Sequence, residues 1–411
     1  MSATDLTQFD LTLFGLTQVV ILDGARTAIG SFGGSLSQFT PAELGTFAAK
    51  EAIKRSGVPA SEIDHSVFGH IITTSPQDVY LSRHIALNAG LPVESAALNV
   101  NRLCGSSVQS LISAAQMIAA GDSRIALAGG AESMSQGAYL LPNMRFGQRM
   151  GDGKTLDMTL DILSDPFDSG HMGITAENIA GRYGYSREQL DAFALTSHQR
   201  ASTAIKEGLF DSQIVPVEIR HKRETRLFAT DEHVRADITA EGLASLKPAF
   251  KKEGLVTAGN ASGINDGAAA LVLTSQAEAE RRGLKPRARF VSYAFAGVEP
   301  DVMGLGPIPA VKIALEKAGL TVADLDLIES NEAFAAQAMA VTESLGLDPA
   351  KVNPNGGAVA HGHPVGATGS IITLKALYEL ERIGGRYGLI TMCIGGGQGI
   401  ALIVENLKER N

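Results

Sequence analysis

Cysteine is the residue type in this sequence with the clearest chemical use. Of 411 residues, only Cys104 and Cys393 are cysteines. Cys104 follows the apolar stretch SAALNV and precedes apolar residues at helical spacing from Val108 to Ile118, so a helix is predicted to begin near it. The unpaired N–H groups and the dipole of a helix start lower the pKa of a thiol, which would make Cys104 a nucleophile. A small core residue is the alternative interpretation of the same pattern.

Three residues of the second half could act with that sulfur. His363, in HGHPVGATG, lies at a turn that corresponds to that of Cys104 and could remove its proton. Asn331, in NEAFA, starts a predicted helix and offers an amide to polarise a carbonyl. Cys393 ends a predicted buried strand in MCIGGGQG, whose glycines let backbone N–H groups point at a ligand. The spacing of these glycines is not that of a dinucleotide-binding loop, which argues against that interpretation.

The elements that must position these residues alternate between strands and helices. QVVILDG, HSVFGHII and RIALAGG are typical of buried strands, and Pro41–Ser56 is predicted to be a helix with Thr40 as its N-cap. This order indicates an α/β layered fold. Both halves then run through Asn-x-Asn, a Gly-rich turn, a buried helix, an apolar strand and Gly-Gly, which suggests a duplicated fold. In such a fold the two helix starts would face one site.

The segment from Ser133 to about Asn260 interrupts this alternation. It has few apolar runs, many polar turns and one clear helix, predicted at Ser186–Glu207 with a serine cap. We interpret it as an inserted loop domain that lies over the core and carries binding function. The predicted domains are residues 1–133 with 265–285 (N-terminal half), 134–264 (loop domain) and 286–411 (C-terminal half).

The composition limits the classes of function. A net charge of −9 argues against a nucleic-acid partner, because no basic surplus would neutralise phosphates. Two cysteines imply no disulfide framework and fit a reducing compartment. Tetrahedral zinc would need ligand pairs that the sequence lacks. The first residues carry no basic side chain before Arg26, the C-terminal KERN is not a recognised address, and no apolar run approaches membrane length. A cytoplasmic protein is therefore expected.

From residue 18 onward the sequence resembles the thiolases, the acetyl-CoA acetyltransferases. The resemblance is carried, in the family's order, by NRLCGSS, GGAESMS, HMGITAEN, GNASGINDGAA, VMGLGPIPA, NEAFA, GGAVAHGHPVGATG and CIGGGQG. It implies an α/β thiolase fold with duplicated βαβαβαββ halves in five layers (α-β-α-β-α). It also implies that the inserted loop domain covers coenzyme A.

The family's catalytic roles fall on five positions of this sequence. Cys104 matches the nucleophile, His363 its activating base, and Cys393 the acid/base for the α-proton. Asn331 matches the residue that holds an oxyanion-hole water, and the N–H groups of Cys104 and Gly395 would hold the oxyanion of the tetrahedral intermediate. The resemblance places substrate-binding residues at His171, Met172, Arg235, Phe250, Ala258, Ser262, Met303 and Phe334.

The implied activity is that of an acetyl-CoA C-acetyltransferase. Such an enzyme condenses two acetyl-CoA to acetoacetyl-CoA through an acyl-Cys104 intermediate, or cleaves short 3-ketoacyl-CoA, with coenzyme A as substrate or product and no further cofactor or metal. The family is usually dimeric or tetrameric, with a tetramer contact in residues 134–150. The bulky Phe250, Met303 and Phe334 favour short substrates, whereas a broad or long-chain 3-ketoacyl-CoA thiolase of fatty-acid β-oxidation is the alternative.

Three other classes of function stay open on the sequence alone. A related ketoacyl or hydroxymethylglutaryl-type synthase typically lacks a second catalytic cysteine, so Cys393 argues against it. An inactive acyl-CoA-binding protein would tolerate loss of Cys104 or His363, and a Cys/His metal site is a third alternative. Two positions depart from the family: Ser107 stands where many thiolases have glycine, and His361, expected to be structural, stands where an aliphatic residue is common.

Overall fold

A computed structural model describes residues 18–221 and 224–408. Residues 1–17 and 409–411 lie outside this part. The expectations of no leader sequence and no C-terminal address rest on these residues. From residue 18 to Ser133 the structure has eight α-helices and β-strands: β1 (Val19–Arg26), β2 (Gly30–Ser31), α1 (Pro41–Ser56), β3 (His65–Gly69), α2 (Leu81–Asn88), β4 (Ala96–Val100), α3 (Ser106–Ala120) and β5 (Ile125–Ser133).

Helix α1 shows how local sequence sets an element boundary. Thr40 and Glu43 form a capping box at its start, which satisfies N–H groups that the helix itself leaves unpaired. Gly57 ends it with a φ of 73°, a left-handed conformation that costs glycine little. Leu44 and Ile53 are buried on the face that packs against the sheet. The predicted helix and its cap are confirmed.

The middle segment consists of short elements and two longer helices. Its larger helix begins after Ser186, which forms a capping box with Gln189, as the sequence predicts. The division into three domains stays a prediction. The elements are β6 (Tyr139–Leu140), β7 (Leu156–Asp157), α4 (Met158–Asp161), β8 (Ser164–Asp165), β9 (Gly170–His171), α5 (Met172–Tyr183), α6 (Arg187–Lys206), β10 (Val217–His221), β11 (Glu224–Phe228) and α7 (Ala240–Ala244).

The second half repeats the element order of the first. Its elements follow β12 (Asn265–Ser275), which pairs with β1 and β5 and so completes the first βαβαβαββ unit. The third strand of the second unit is reduced to a single bridge between Ile328 and Val352. The elements after β12 are α8 (Gln276–Arg281), β13 (Ala288–Gly297), α9 (Pro307–Ala318), β14 (Leu327–Ser330), α10 (Ala335–Leu345), α11 (Ala358–His361), α12 (Thr368–Ile383), β15 (Tyr387–Ile394) and β16 (Gln398–Asn406).

The two halves stack in layers around a shared central core. Hydrogen bonding runs in the strand order β14-β15-β16-β13-β1-β12-β5-β3-β4, and the halves meet where β1 pairs with β13. Helices α3 and α12 share one apolar cluster with strands of both halves, so they lie between the two sheet faces. Helices α1 and α2 pack on one outer face, and α9 and α10 pack on the other. The predicted five-layer α-β-α-β-α arrangement is confirmed.

The central helix corrects one expectation from the sequence. The window Leu103–Ala120 has a mean hydropathy of 1.2 over 18 residues, which by length and composition alone is enough to cross a membrane. Helix α3 lies within this window, and its apolar residues pack against both sheets in the central core. Burial on several sides explains this hydropathy, because a helix enclosed by protein is apolar around most of its circumference.

Candidate active site

Cys104 lies in a tight turn immediately before α3. Helix α3 begins at Ser106 with Gly105 as its N-cap, so the cysteine precedes the first helical turn instead of lying on it. Ser106 Oγ closes the turn, since it accepts from Arg102 N at 2.9 Å and donates to Leu103 O at 2.6 Å. Leu103 has a φ of 46°, which is a strained left-handed conformation for a leucine. The turn therefore holds the sulfur in a fixed direction.

The environment of Cys104 contradicts the expected low thiol pKa. Burial is the largest influence and raises the pKa of Cys104 to about 11, with the charge of Glu132 adding to the rise. Hydrogen bonds from the N–H groups of Gly395 and of Cys104 itself oppose this change. The desolvation of the charged form outweighs the stabilising donors at the helix start. The resting group is therefore a neutral thiol.

His363 is placed to act as a base through Nε2. Burial lowers the pKa of His363 to about 4, so the ring is neutral at rest. Its Nδ1 lies 2.7 Å from Thr368 Oγ1, and that hydroxyl is within donating distance of Pro364 O at 3.0 Å. If the hydroxyl proton goes to Pro364, the Nδ1 atom must carry the ring proton. The lone pair is then on Nε2.

Asn331 lies beside His363 but not at a helix start. It follows β14, and α10 begins only at Ala335, so the predicted helix position is wrong. Its Nδ2 is 3.5 Å from His363 Nε2, which is the limit of a hydrogen bond. Among the residues that the structure describes, its buried Oδ1 has no hydrogen-bond partner. A buried amide oxygen of this kind can accept a hydrogen bond from a water or a ligand.

Cys393 lies at the end of β15, opposite the turn of Cys104. It is fully buried, and burial holds its pKa well above the usual value; a negative charge on Cys104 would raise that pKa further. Gly396 and Gly397 follow with φ values of 79° and 84°, which a side chain would strain. A Cβ on Gly395 would lie 2.9 Å from Met172 Cε. Gly396 and Gly397 thus permit the sharp turn after β15, and Gly395 permits the close approach of its backbone to Met172.

One cavity joins these residues. It encloses about 390 Å³, within the range of small-ligand pockets. Both halves and the middle segment contribute to its wall. Every predicted site residue except Asn331 lines it: Cys104, His363, Cys393, Gly395, His171, Met172, Arg235, Phe250, Ala258, Ser262, Met303 and Phe334.

Aromatic rings form part of the wall on the Cys393 side. His171 and Phe250 are stacked with centroids 4.6 Å apart, and Phe334 meets Phe250 edge-on at 6.2 Å. His171 also caps α5, because its Nδ1 accepts from Gly173 N at 3.1 Å. A Cβ on Gly173 would lie 2.3 Å from the Phe250 ring. The predicted HMG motif therefore shapes the wall through both its histidine and its glycine.

The sequence does not predict the apolar group that lies beside Cys104. It consists of residues from separate loops, each without periodicity that would indicate a site. His233 also lines the cavity, two residues before Arg235, and the HVRADIT segment was the available hint. The missed apolar lining residues are Ile71, Leu103, Met134, Ile162, Leu163, Ile264 and Val365.

The two departures from the family have structural partners. His361 Nδ1 lies 3.1 Å from Asp231 Oδ2, and its Nε2 lies 2.9 Å from Asn355 O, which fits the expected structural role. Ser107 Oγ accepts from Ser370 N at 2.9 Å and so links the two central helices. Within residues 18–221 and 224–408, no group of three or more His, Cys, Asp or Glu is arranged to hold a metal ion.

Comparisons with known proteins agree with this geometry. The thiolase N-terminal domain family matches residues 19–277, and the thiolase C-terminal domain family matches residues 284–406. The chain is 59% identical to beta-ketothiolase BktB of Cupriavidus necator, over 95% of this chain and 99% of that protein. It is 50% identical to an acetyl-CoA acetyltransferase of Allochromatium vinosum, over 95% and 99%. The crystal structure of human mitochondrial 3-ketoacyl-CoA thiolase in complex with CoA has a TM-score of 0.92, at 44% identity over 95% and 98%.

Proposed function

Because the chain belongs to the thiolase family, we propose that it is an acetyl-CoA C-acetyltransferase. It would condense two acetyl-CoA to acetoacetyl-CoA and free coenzyme A, and would catalyse the reverse thiolysis. The observation that carries the proposal is the convergence of Cys104, His363 and Cys393 on one cavity. Relatives named beta-ketothiolase and acetyl-CoA acetyltransferase support the same reaction class.

The first half-reaction places an acetyl group on Cys104. The sulfur attacks the thioester carbonyl while its proton moves to His363 Nε2, and that proton leaves with the departing coenzyme A thiolate. Since thiol and imidazole are both neutral at rest, proton transfer must accompany attack so that no free thiolate accumulates. The backbone N–H groups of Cys104 and Gly395 lie close enough to the sulfur to lower the pKa of the Cys104 thiol. In this proposal they stabilise the oxyanion that forms on the carbonyl oxygen beside the sulfur.

The second half-reaction makes an enolate from another acetyl-CoA. Cys393 takes the α-proton, which requires that its own proton has passed to His363. The imidazolium so formed would donate from Nε2 to the enolate oxygen, beside a water held by Asn331 Oδ1. The enolate carbon attacks the acetyl-Cys104 carbonyl, acetoacetyl-CoA forms, and His363 returns its proton to Cys104. Each proton is thereby accounted for.

A covalent acetyl adduct on Cys104 tests the proposal. Intact-mass measurement after mixing with acetyl-CoA should show one acetyl group per chain, because acylation precedes condensation. The Cys104→Ala variant should show none. An adduct that persists in that variant would assign the nucleophile elsewhere.

The length of the acyl chain separates the proposal from its alternative. The wall near Cys393 is built from bulky side chains, and each excluded methylene forfeits about 0.8 kcal/mol of burial. We therefore expect acetoacetyl-CoA to be the best thiolysis substrate, with rates falling from about four to six carbons and nearly lost by about ten. The apolar group beside Cys104 favours the alternative, a broader 3-ketoacyl-CoA thiolase. Equal rates for a ten-carbon substrate would establish that alternative.

Coenzyme A and further copies of the chain are the proposed partners. We assign coenzyme A to Arg235, Ala258 and Ser262, which line the cavity on the side of the middle segment. Exposed apolar side chains in the segment 134–150 support a homodimer or homotetramer, because such surfaces are typical of protein–protein contacts. Phe146 is 93% and Met150 89% exposed. Light scattering should give a mass of two or four chains, and a monomer would contradict this assembly.

A further inference from the structure

A buried group of charged side chains lies between the loop of Ile71 and Ile72, which packs in one apolar cluster with Cys104, and the loop of His363. Glu132, at 0% exposure on β5, lies at its centre. His70 Nδ1 is 3.0 Å from Glu132 Oε1, and His70 Nε2 is 3.7 Å from Asp78 Oδ2. Nothing in the proposed reaction uses these three residues directly. Such a fully buried charge is costly unless it is paired and hydrogen-bonded.

The Glu132 carboxylate joins two loops that come from different halves of the fold. It accepts from Gly366 N at 2.8 Å, in the loop that carries His363. It also accepts from Ile71 N at 3.2 Å and from Ile72 N at 3.0 Å, in a loop that lines the cavity beside Cys104. A Cβ on Gly366 would lie 2.3 Å from Glu132 Oε2, so the hydrogen bond between Gly366 N and Glu132 requires a glycine at this position.

We propose, on the basis of the function proposed above, that Glu132 is a positioning residue that holds the His363 loop against Cys104. His70 Nδ1 lies 3.0 Å from Glu132 Oε1 and 3.0 Å from Ala131 O, so the ring is held beside the carboxylate and offsets its charge. Gly366 lies three residues after His363, and another anchor of this loop is Asn265, whose Oδ1 accepts from His363 N at 3.0 Å. The first half of the fold thus fixes the position of the base contributed by the second half.

The charges of this group support the proposal and make it testable. Although burial opposes protonation, Glu132 and Asp78 raise the pKa of His70 to about 10, so it is an imidazolium at neutral pH. The Glu132 charge also raises the pKa of Cys104. Removing that charge should therefore favour the Cys104 thiolate. The other titratable groups that face the cavity are unchanged in every variant below: His363, Cys393, His171, His233 and Arg235.

The test compares turnover with alkylation of Cys104 by iodoacetamide, followed at pH 8 by peptide mass spectrometry. In Glu132→Gln an amide group replaces one acceptor oxygen, so kcat should fall about 10²-fold through misplacement of His363 while KM changes little. Alkylation should instead rise about threefold to tenfold, because the thiolate fraction grows as the pKa falls. Glu132→Asp keeps the charge but shortens the reach, so kcat should fall with alkylation near the wild-type rate.

Alkylation needs no acyl-CoA, so this result is independent of whether the proposed reaction is correct. Glu177→Gln is the matched control, since Glu177 also accepts backbone N–H groups, from Leu255 and Val256, and should leave alkylation unchanged. Wild-type kcat in Glu132→Gln, or a parallel loss of both rates, would overturn the proposal. If Glu132→Gln does not fold, His70→Asn should lower kcat and slow alkylation below the wild-type rate, and unchanged rates there would overturn it.

Discussion

Cys393→Ala is expected to abolish formation and cleavage of the carbon–carbon bond while leaving acetylation of Cys104 intact. Acylation needs no α-proton removal, whereas both directions of the condensation do. A positioned acid or base contributes about 10²–10⁴-fold, so loss of Cys393 should cost at least that much in turnover. Acetoacetyl-CoA synthesis and thiolysis are measured beside the acetyl adduct by intact mass.

The adduct is the internal control for this variant. Cys393 lies in β15, two residues before Gly395, whose N–H lies near the Cys104 sulfur. If the substitution only distorted this turn, the adduct and the turnover would both decline. Turnover within about tenfold of wild type would show that Cys393 is not the acid/base, because such a group contributes more than this.

Asn331→Ala is expected to lower turnover by about two to three orders of magnitude, the usual loss for one oxyanion-hole donor. The buried Oδ1, unpaired within the part of the chain that the structure describes, and the 3.5 Å contact of Nδ2 with His363 Nε2 fit the proposal that the amide holds a water beside the enolate oxygen. Binding of coenzyme A should change little, since Asn331 is not among the cavity-lining side chains.

A matched substitution separates this effect from general loss of an amide. Asn178 on α5 donates to Asp301 O, remote in sequence from the turns that carry the reacting groups. Asn178→Ala should keep wild-type turnover. If Asn331→Ala also keeps it, Asn331 serves only to connect β14 with the following loop.

The sequence predicted the elements well where the deciding interactions are local. The Thr40 and Ser186 caps lie within three residues of their partners, so both helices begin where expected. The strand–turn–helix around Cys104 was likewise visible in the spacing of apolar residues. By contrast, the third strand of the second unit is reduced to one bridge at Val352, which no local pattern revealed.

The electrostatics of the site depend on contacts that local sequence does not contain. The low pKa predicted for Cys104 follows from the helix start alone. In the folded chain, burial has the larger effect and raises that pKa instead. Asn331 was assigned to a helix because the apolar run after it is helical, yet its backbone N–H bonds to Thr391 O beside the sheet. Family motifs predict which residues react, whereas the burial that shifts the pKa values of Cys104 and His363 arises only in the folded chain.

The position of β12 has a consequence for synthesis of the chain on the ribosome. In the first sheet β12 lies between β1 and β5, with Ala270 paired to both Ala25 and Gly129. The strand follows the whole middle segment in sequence, so β1 and β5 have no partner at these edges while residues 134–264 are being made. Pairings across such a separation form late and are vulnerable to wrong association. The turn of Cys104 is therefore translated long before β12 is available to pair with β1 and β5.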